Sequence, residues 1–421
     1  MADAPHEPPW PREDLRAQLA SGPLGAATLA QIWSFPEWVH RRVETLEFRD
    51  DTTFRRRHSV HFAVPGTAPA VTLNDTTKRL VVLSVLRKTT LVNFDCRDED
   101  GRAVPVFTTE QNGTIATAGM TDWAEAVLDE AGTGPLADEV RNDITAVVAG
   151  PVASQELPLG RFLDPEAPGR HHQHQVLHDS TSGWSVTFEE LAASFLLVTY
   201  VDDEPGRHRI LKFSYEEPAE LTKSDGLLKR VGVAIGWRPH EVASAVDQYV
   251  AAESYHFEAE TVDGVDATVA HLWVGPTRET LACVDSDTGG HPRVALHGSS
   301  KPNDTVAEVE IHLRPSARGW LRAAWFATTS SAAALLIVAW RIDEILEPGP
   351  HADVQSELAA ATILAVVGGM AGLISRGDEH PLVSHLLGSL RPLAAIAALL
   401  PFIAASSLVV GPSGDWRGTL W

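Results

Sequence analysis

The stretch Leu91–Glu130, LVNFDCRDEDGRAVPVFTTEQNGTIATAGMTDWAEAVLDE, changes period partway along. Leu91–Arg97 and Ala103–Thr108 are strand-like runs on either side of Asp100-Gly101. Asp-Gly between two such runs signals a hairpin, because both residues tolerate the left-handed backbone of a tight turn. Thr109–Glu130 then reads as a helix, and a second helix is expected over Leu136–Val148. Working outward, Val60, Phe62 and Val64 fall on one side of an extended segment and Ser59, His61 and Ala63 on the other. Leu80–Leu86 is a continuous run rich in β-branched residues, the type buried on both faces. Residues 12–33 space Leu15, Leu19, Leu24, Leu29 and Ile32 loosely at helical period, ending near Pro36. Strands followed by helices point to an α+β unit.

Beyond it, residues 150–183 are rich in Pro, Gly and His and read as a loop and linker. A strand-rich part follows. Ser194–Val201 is continuously apolar, and Ile210–Tyr215, Ser254–Glu260 and Val306–Leu313 alternate apolar with polar. Ala267–Val274 is a further strand, and a helix is expected near His240–Ala251. One apolar and one charged face per strand suits antiparallel sheets with a solvated side, and the expectation is a β-sandwich. The organisation read from sequence is therefore a helical segment (1–40), an α+β unit (41–150), a linker (151–183), a β-rich unit (184–315) and a membrane region (316–421).

That last region holds three apolar stretches without a charged residue, 323–340, 358–374 and 392–411. At about 1.5 Å rise per residue, each is roughly the thickness of a bilayer core, so a three-helix transmembrane anchor is expected. Trp320, Trp325, Trp340, Trp416 and Trp421 near the span ends fit an interfacial belt. Arg314, Arg318 and Arg322 precede the first span, and Arg376 and Arg391 flank the loop between the second and third. By the positive-inside rule the N-terminal portion is cytoplasmic and the C-terminus outside a bacterial inner membrane. The opening MADAPHEPPWPRED has no apolar core, so no signal peptide is expected. Transporters and pumps usually carry ionisable residues within their spans, and these have none. Gly368 and Gly372 form a GxxxG face suited to close helix packing.

Composition narrows function further. Against 34 Lys plus Arg stand 56 Asp plus Glu, a formal charge of −22, which argues against nucleic acid as a partner. The hydrophobic share of 44% excludes a disordered chain. Cys96 and Cys283 are too few for a disulfide framework or a four-cysteine zinc site. Six Lys against 28 Arg, with abundant Ala, suggest a GC-rich bacterial genome.

The motifs that carry chemistry are missing: the sequence has no P-loop, no GxSxG elbow and no CxxC pair. His240-Glu241 begins like a metalloprotease motif but reaches Ser244 where the second histidine belongs. Acidic turns at Asp98–Gly101 and Asp285–Gly290 lack the terminal oxygen ligands of a calcium loop. Arg170-His171-His172-Gln173-His174, followed by His178 and Asp179, is dense enough in imidazole to hold zinc, nickel or copper, but its spacing matches no catalytic set. It reads as a solvated loop. Arg55-Arg56-Arg57-His58 reads as a charged edge that blocks aggregation. No catalytic, cofactor-binding or metal-binding residue is assigned, and no cofactor is expected.

Leu91–Gly113, the SYHFEAE segment Ser254–Glu260 and the C-terminal apolar stretches together resemble a group of actinobacterial membrane proteins without an assigned activity. The resemblance implies the class and transfers no functional residue. The expected function is a non-enzymatic binding, scaffold or regulatory module held in the lipid bilayer, with a protein partner or a second copy of the chain. A pore-forming or membrane-perturbing effector is one alternative, and an enzyme of unrecognised type, metal-dependent or not, using His171–Asp179 or the cleft between the two units is the other.

Overall fold

The computed structural model describes residues 12–49, 53–73, 75–218, 238–246, 252–262, 265–274, 279–285, 293–298 and 307–315, with isolated positions 329, 332, 333, 336 and 340. The fold is α+β. Its strands form three sheets among the described residues. The largest has six strands: β1 (Val39–Phe48), β2 (Thr53–Ala63), β5 (Val92–Arg97), β7 (His208–Pro218), β9 (Ser254–Glu260) and β12 (Arg293–Gly298). Their order is β12-β9-β1-β2-β7-β5. Every pairing is antiparallel except β1 with β9, which is parallel. A three-stranded sheet has β4 (Thr76–Arg87) between β3 (Ala70–Leu73) and β6 (Ser194–Asp202). The third sheet has β10 (Val265–Val274) and β13 (Ala307–Pro315) inside, with β11 (Glu279–Asp285) and β8 (His240–Val246) at its edges.

Local sequence explains most of these elements. In β4, Leu80–Leu86 is buried on both faces as its composition implies, between the six-stranded sheet and the helices. In β2 and β9, period-2 alternation turns Val60, Phe62, Tyr255 and Phe257 inward. Helix α4 (Thr109–Glu130) keeps the bounds read from sequence. Thr108 accepts from the Gln111 amide and the Gln111 side chain accepts from the Thr108 amide, a capping box that fixes the first turn. Helix α2 (Gly22–Trp33) crosses α4 where Gly25 faces Gly119. A Cβ on Gly119 would sit 2.6 Å from the Gly25 carbonyl, so only glycine lets these backbones touch. Helix α5 (Asp138–Ala149) starts two residues later than expected.

Four sequence readings are corrected. First, residues 103–108 form no hairpin strand. The chain turns at Gly101 (φ +80°), bridges once from Arg97 to Ala103, then crosses to β6 through Val106 and Thr199. Pro105 has no N–H for a ladder, and its carbonyl accepts from the Thr199 hydroxyl at 2.7 Å. Second, residues 150–183 are not a loop. They carry a 3₁₀ turn (Val152–Ser154), α6 (Glu156–Leu163) and α7 (His172–His178), anchored by buried Phe162, His174 and Leu177 and followed by α8 (Trp184–Ala193). Strands from both sides of this stretch pair with each other in the same sheets. Third, the helix expected at His240–Ala251 is strand β8 over 240–246, because Val242, Ser244 and Val246 point inward at period 2 and pair along β13. Residues 247–251 lie outside the described residues. Fourth, Arg55–His58 is not an edge. It lies in β2, between β1 and β7, with Arg56 and His58 buried.

Two apolar cores result. One joins the helices and the three-stranded sheet to Val60, Phe62, Leu211 and Phe213 of the six-stranded sheet. The other joins Leu46, Phe48, Phe54, Tyr255 and Phe257 of that sheet to Val242, Leu272, Val309 and Ile311 of the third. The stretches 358–374 and 392–411 lie outside the described residues. In 323–340, positions 329, 332, 333, 336 and 340 are helical. No helix among the described residues is long and apolar enough to cross a membrane.

Candidate functional site

The inward face of the six-stranded sheet serves both cores, and the register shows where they divide. Phe48 lies opposite Phe54, Leu46 opposite Arg56, Glu44 opposite His58 and Arg42 opposite Val60. Phe48, Phe54 and Leu46 belong to the second core, Val60 and Phe62 to the first. Arg42, Glu44, Arg56 and His58 sit at the seam, all buried. Removing such charges from water is costly unless each is matched by an opposite charge or hydrogen bonds.

Most of the seam's polar atoms are so matched. Arg56 pairs with Glu44 through Nη1 and donates from Nε to Glu217 Oε1 at 2.6 Å, from Nη2 to Ser244 Oγ at 2.7 Å and from Nη1 to the Ala245 carbonyl at 3.0 Å. One guanidinium thus joins β1, β7 and the edge strand β8. The other Glu44 oxygen accepts from the Tyr255 hydroxyl at 2.6 Å. Arg42 reaches into the three-stranded sheet, donating to the Leu83 carbonyl at 2.6 Å and to Ser84 Oγ at 3.4 Å.

Electrostatics follow from this packing. Burial lowers the Arg42 guanidinium to about 10 against the opposing pull of Glu44. Burial would lower Arg56 too, but Glu44, Tyr215 and Glu217 outweigh it and raise its pKa. Burial, then Glu44, pushes the Tyr255 hydroxyl well above its usual range. Burial, reinforced by Arg42 and Arg56, drives His58 well below the usual imidazole value, so it is neutral. The His58 ring stacks on Phe213 at 4.5 Å, and neither ring nitrogen has a hydrogen-bond partner.

A cleft of about 750 Å³ opens over Arg56, lined among others by Arg87, Thr89, Tyr215, Glu217 and Ser244. Glu44 is sealed inside, but the Glu217 side chain is 27% exposed. Glu217 is therefore the partner of Arg56 that an incoming anion could replace, and what the arrangement offers is exchange of ion-pair partners.

The histidine-rich segment is placed elsewhere. His174, fully buried, accepts from the His171 amide at Nδ1 (2.9 Å), so Nε2 carries the proton and donates to Asp143 at 3.0 Å. Arg161 Nη1 holds both Asp143 oxygens at 2.9 and 3.0 Å, and Phe162 meets the His174 ring edge-on at 4.5 Å. Burial lowers the His174 pKa against the opposing effect of Asp143. His171 caps α7, and His178 contacts Asp179 at 3.1 Å. This segment joins α5, α6 and α7; it is not a solvated loop. Among the described residues no three His, Cys, Asp or Glu side chains converge to hold a metal ion.

Sequence reasoning passed over Arg42, Glu44 and Tyr255. The signal was present: Arg42 and Glu44 share the phase of Leu46 and Phe48, and Tyr255 that of Phe257. Compared with known families and with curated proteins, the chain matches no family and no curated relative.

Proposed function

We propose that the chain is a non-enzymatic binding and regulatory module, anchored in a bacterial inner membrane by a three-helix C-terminal region, with its N-terminal portion cytoplasmic. The observation that carries this reading is the Arg56 seam. It ties the cleft to β8, β8 pairs with β13, and nine residues separate Leu313 of β13 from the apolar stretch starting at Ala323. In this reading the third sheet and the part of the six-stranded sheet facing it form the sandwich-like unit nearest the bilayer. An anion that displaces Glu217 from Arg56 shifts β8, and through β13 the anchor. Helical positions Leu336 and Trp340, 71% and 83% exposed, support a lipid-facing surface in the first span.

The test uses full-length protein in native membranes. Retention after an alkaline carbonate wash is expected, and release would overturn the anchor. Crosslinking in the same membranes then compares wild type with Glu217→Gln, a variant at the exposed side of the cleft. A changed crosslink pattern to a partner or second copy supports regulation through the seam, and an identical pattern would sink it.

A further inference from the structure

A second cleft, of about 590 Å³, lies where the start of α4, the end of α5 and the turn after β4 meet. That volume falls in the range of small-molecule sites, roughly 300–1,000 Å³. Lys88, just beyond β4, donates from Nζ to the Val147 and Val148 carbonyls at 2.7 and 2.9 Å, in the last turn of α5. Those two bonds use two of the three ammonium protons. Burial lowers the Lys88 amine to about 8. The first turn of α4 lies against the end of α5, because a Cβ on Gly113 would come within 2.9 Å of the Ala149 side chain. The amide of Thr109, which lines the cleft, has no acceptor within the helix, and the helix dipole makes this end positive.

Asn112 supplies an independent sign of a missing ligand. It lines the cleft, is 1% exposed, and donates from Nδ2 to the Phe107 carbonyl at 2.9 Å. Its Oδ1 has no partner. A buried acceptor is unfavourable until a donor reaches it. Half-buried Phe94, Val106 and Phe195 add apolar wall, with Phe107 behind.

We propose that this cleft binds a small carboxylic acid with an apolar body and a hydroxyl or amino donor beside the carboxylate. The carboxylate meets Lys88 and the Thr109 amide, the donor meets Asn112 Oδ1, and the body lies among Phe94, Val106 and Phe195. This cleft shares Thr89, Thr90 and Leu91 with the cleft over Arg56, but its proposed ligand contacts are not those of the seam, and the proposal stands without the membrane reading.

The probe is 3-phenyllactate, added to detergent-solubilised full-length protein. The readout is amine acetylation mapped by mass spectrometry, with the other lysines as internal controls. The probe should slow acetylation of Lys88 at least about fivefold and leave Lys78 and Lys212 unchanged. 3-Phenylpropionate, which lacks the hydroxyl, should need about tenfold more for the same protection, the usual weight of one hydrogen bond to a buried polar group. In calorimetry, Lys88→Met should bind the probe at least about tenfold more weakly, as expected for loss of a charge-assisted contact. If Lys88→Met fails to fold, the acetylation pattern of the wild type decides alone. Absence of Lys88-selective protection at roughly 10 mM probe, which would saturate even a millimolar site, overturns the proposal. So does equal protection by inorganic phosphate, which would mean an anion site without apolar selection.

Discussion

Arg56 and Glu44, facing inward from neighbouring strands of one sheet, form a buried ion pair where two separate apolar cores meet. Removing one partner of such a pair strands the other charge in a medium that cannot solvate it. Arg56→Met should therefore destabilise the protein by about 3–5 kcal/mol, the usual range for breaking a buried pair from one side. The double variant Arg56→Met/Glu44→Leu removes both charges and should be more stable than Arg56→Met alone. Denaturant midpoints of the full-length variants decide; a double variant as weak as the sum of the two singles would show that hydrogen bonds to Ser244 and Glu217, not the charges, hold the seam.

Acid should weaken the fold through its buried histidines. His58 and His174 both titrate below the ordinary imidazole value in the folded protein. Between that lowered value and about 6.5 the unfolded chain binds more protons, so stability falls as pH drops below about 6.5, by at most about 1.4 kcal/mol per pH unit for each histidine. His58→Phe keeps a flat ring against Phe213 and removes one proton site. Its stability should depend less steeply on pH between about 6.5 and 5, the window below the unfolded imidazole value. An unchanged slope in thermal melts across that window would exclude His58 as a source of acid sensitivity.

His174→Ala should cost about 2–4 kcal/mol, combining a cavity beside Phe162 with the lost hydrogen bonds to Asp143 and His171. If the segment works by joining α5, α6 and α7, chelator will leave the melting temperature of the wild type unchanged. A chelator-induced drop, restored by zinc, would instead revive a metal role for His171–Asp179.

Two glycines should respond in opposite directions. Gly119→Ala pushes a methyl into the backbone of Gly25 and should cost at least about 1–3 kcal/mol through overpacking. Gly160, within α6, has open space where a Cβ would project, and Gly160→Ala should stabilise by about 0.5–1 kcal/mol. Thermal melts of both variants check the pair, and equal shifts would contradict the α2–α4 contact.

What could be read from sequence was local. The change of period at Thr109 placed the start of α4 correctly, and the capping box of Thr108 and Gln111 that fixes it lies within four residues. Alternation in Ser254–Glu260 likewise revealed which side of β9 is buried. The reading failed where a distant partner decides. In His240–Val246, Val242 and Val246 fit helical spacing, and Val242, Ser244 and Val246 fit strand spacing equally well. Pairing with β13 settles it, and that pairing lies more than sixty residues away. In residues 150–183 the Pro, Gly and His content masked Phe162 and Leu177, which hold the segment in the core. The seam was missed because Arg56 was read as part of a charged edge and Arg42 and Glu44 were not singled out, although all three share the phase of apolar neighbours. Charge at an inward position marks a buried pair only once the opposing strand is known.

The parallel pairing of β1 with β9 also sets an order of events during synthesis. Tyr255 lies 211 residues after Glu44. At about 5–20 residues per second, a ribosome needs roughly ten to forty seconds to cover that distance. Through that interval the β9 side of β1 has no strand beside it, and Glu44 waits for its second donor. The nascent chain thus carries an unfinished sheet edge until β9 emerges, so a chaperone able to shield that edge would be of most use before the apolar C-terminal stretches are translated.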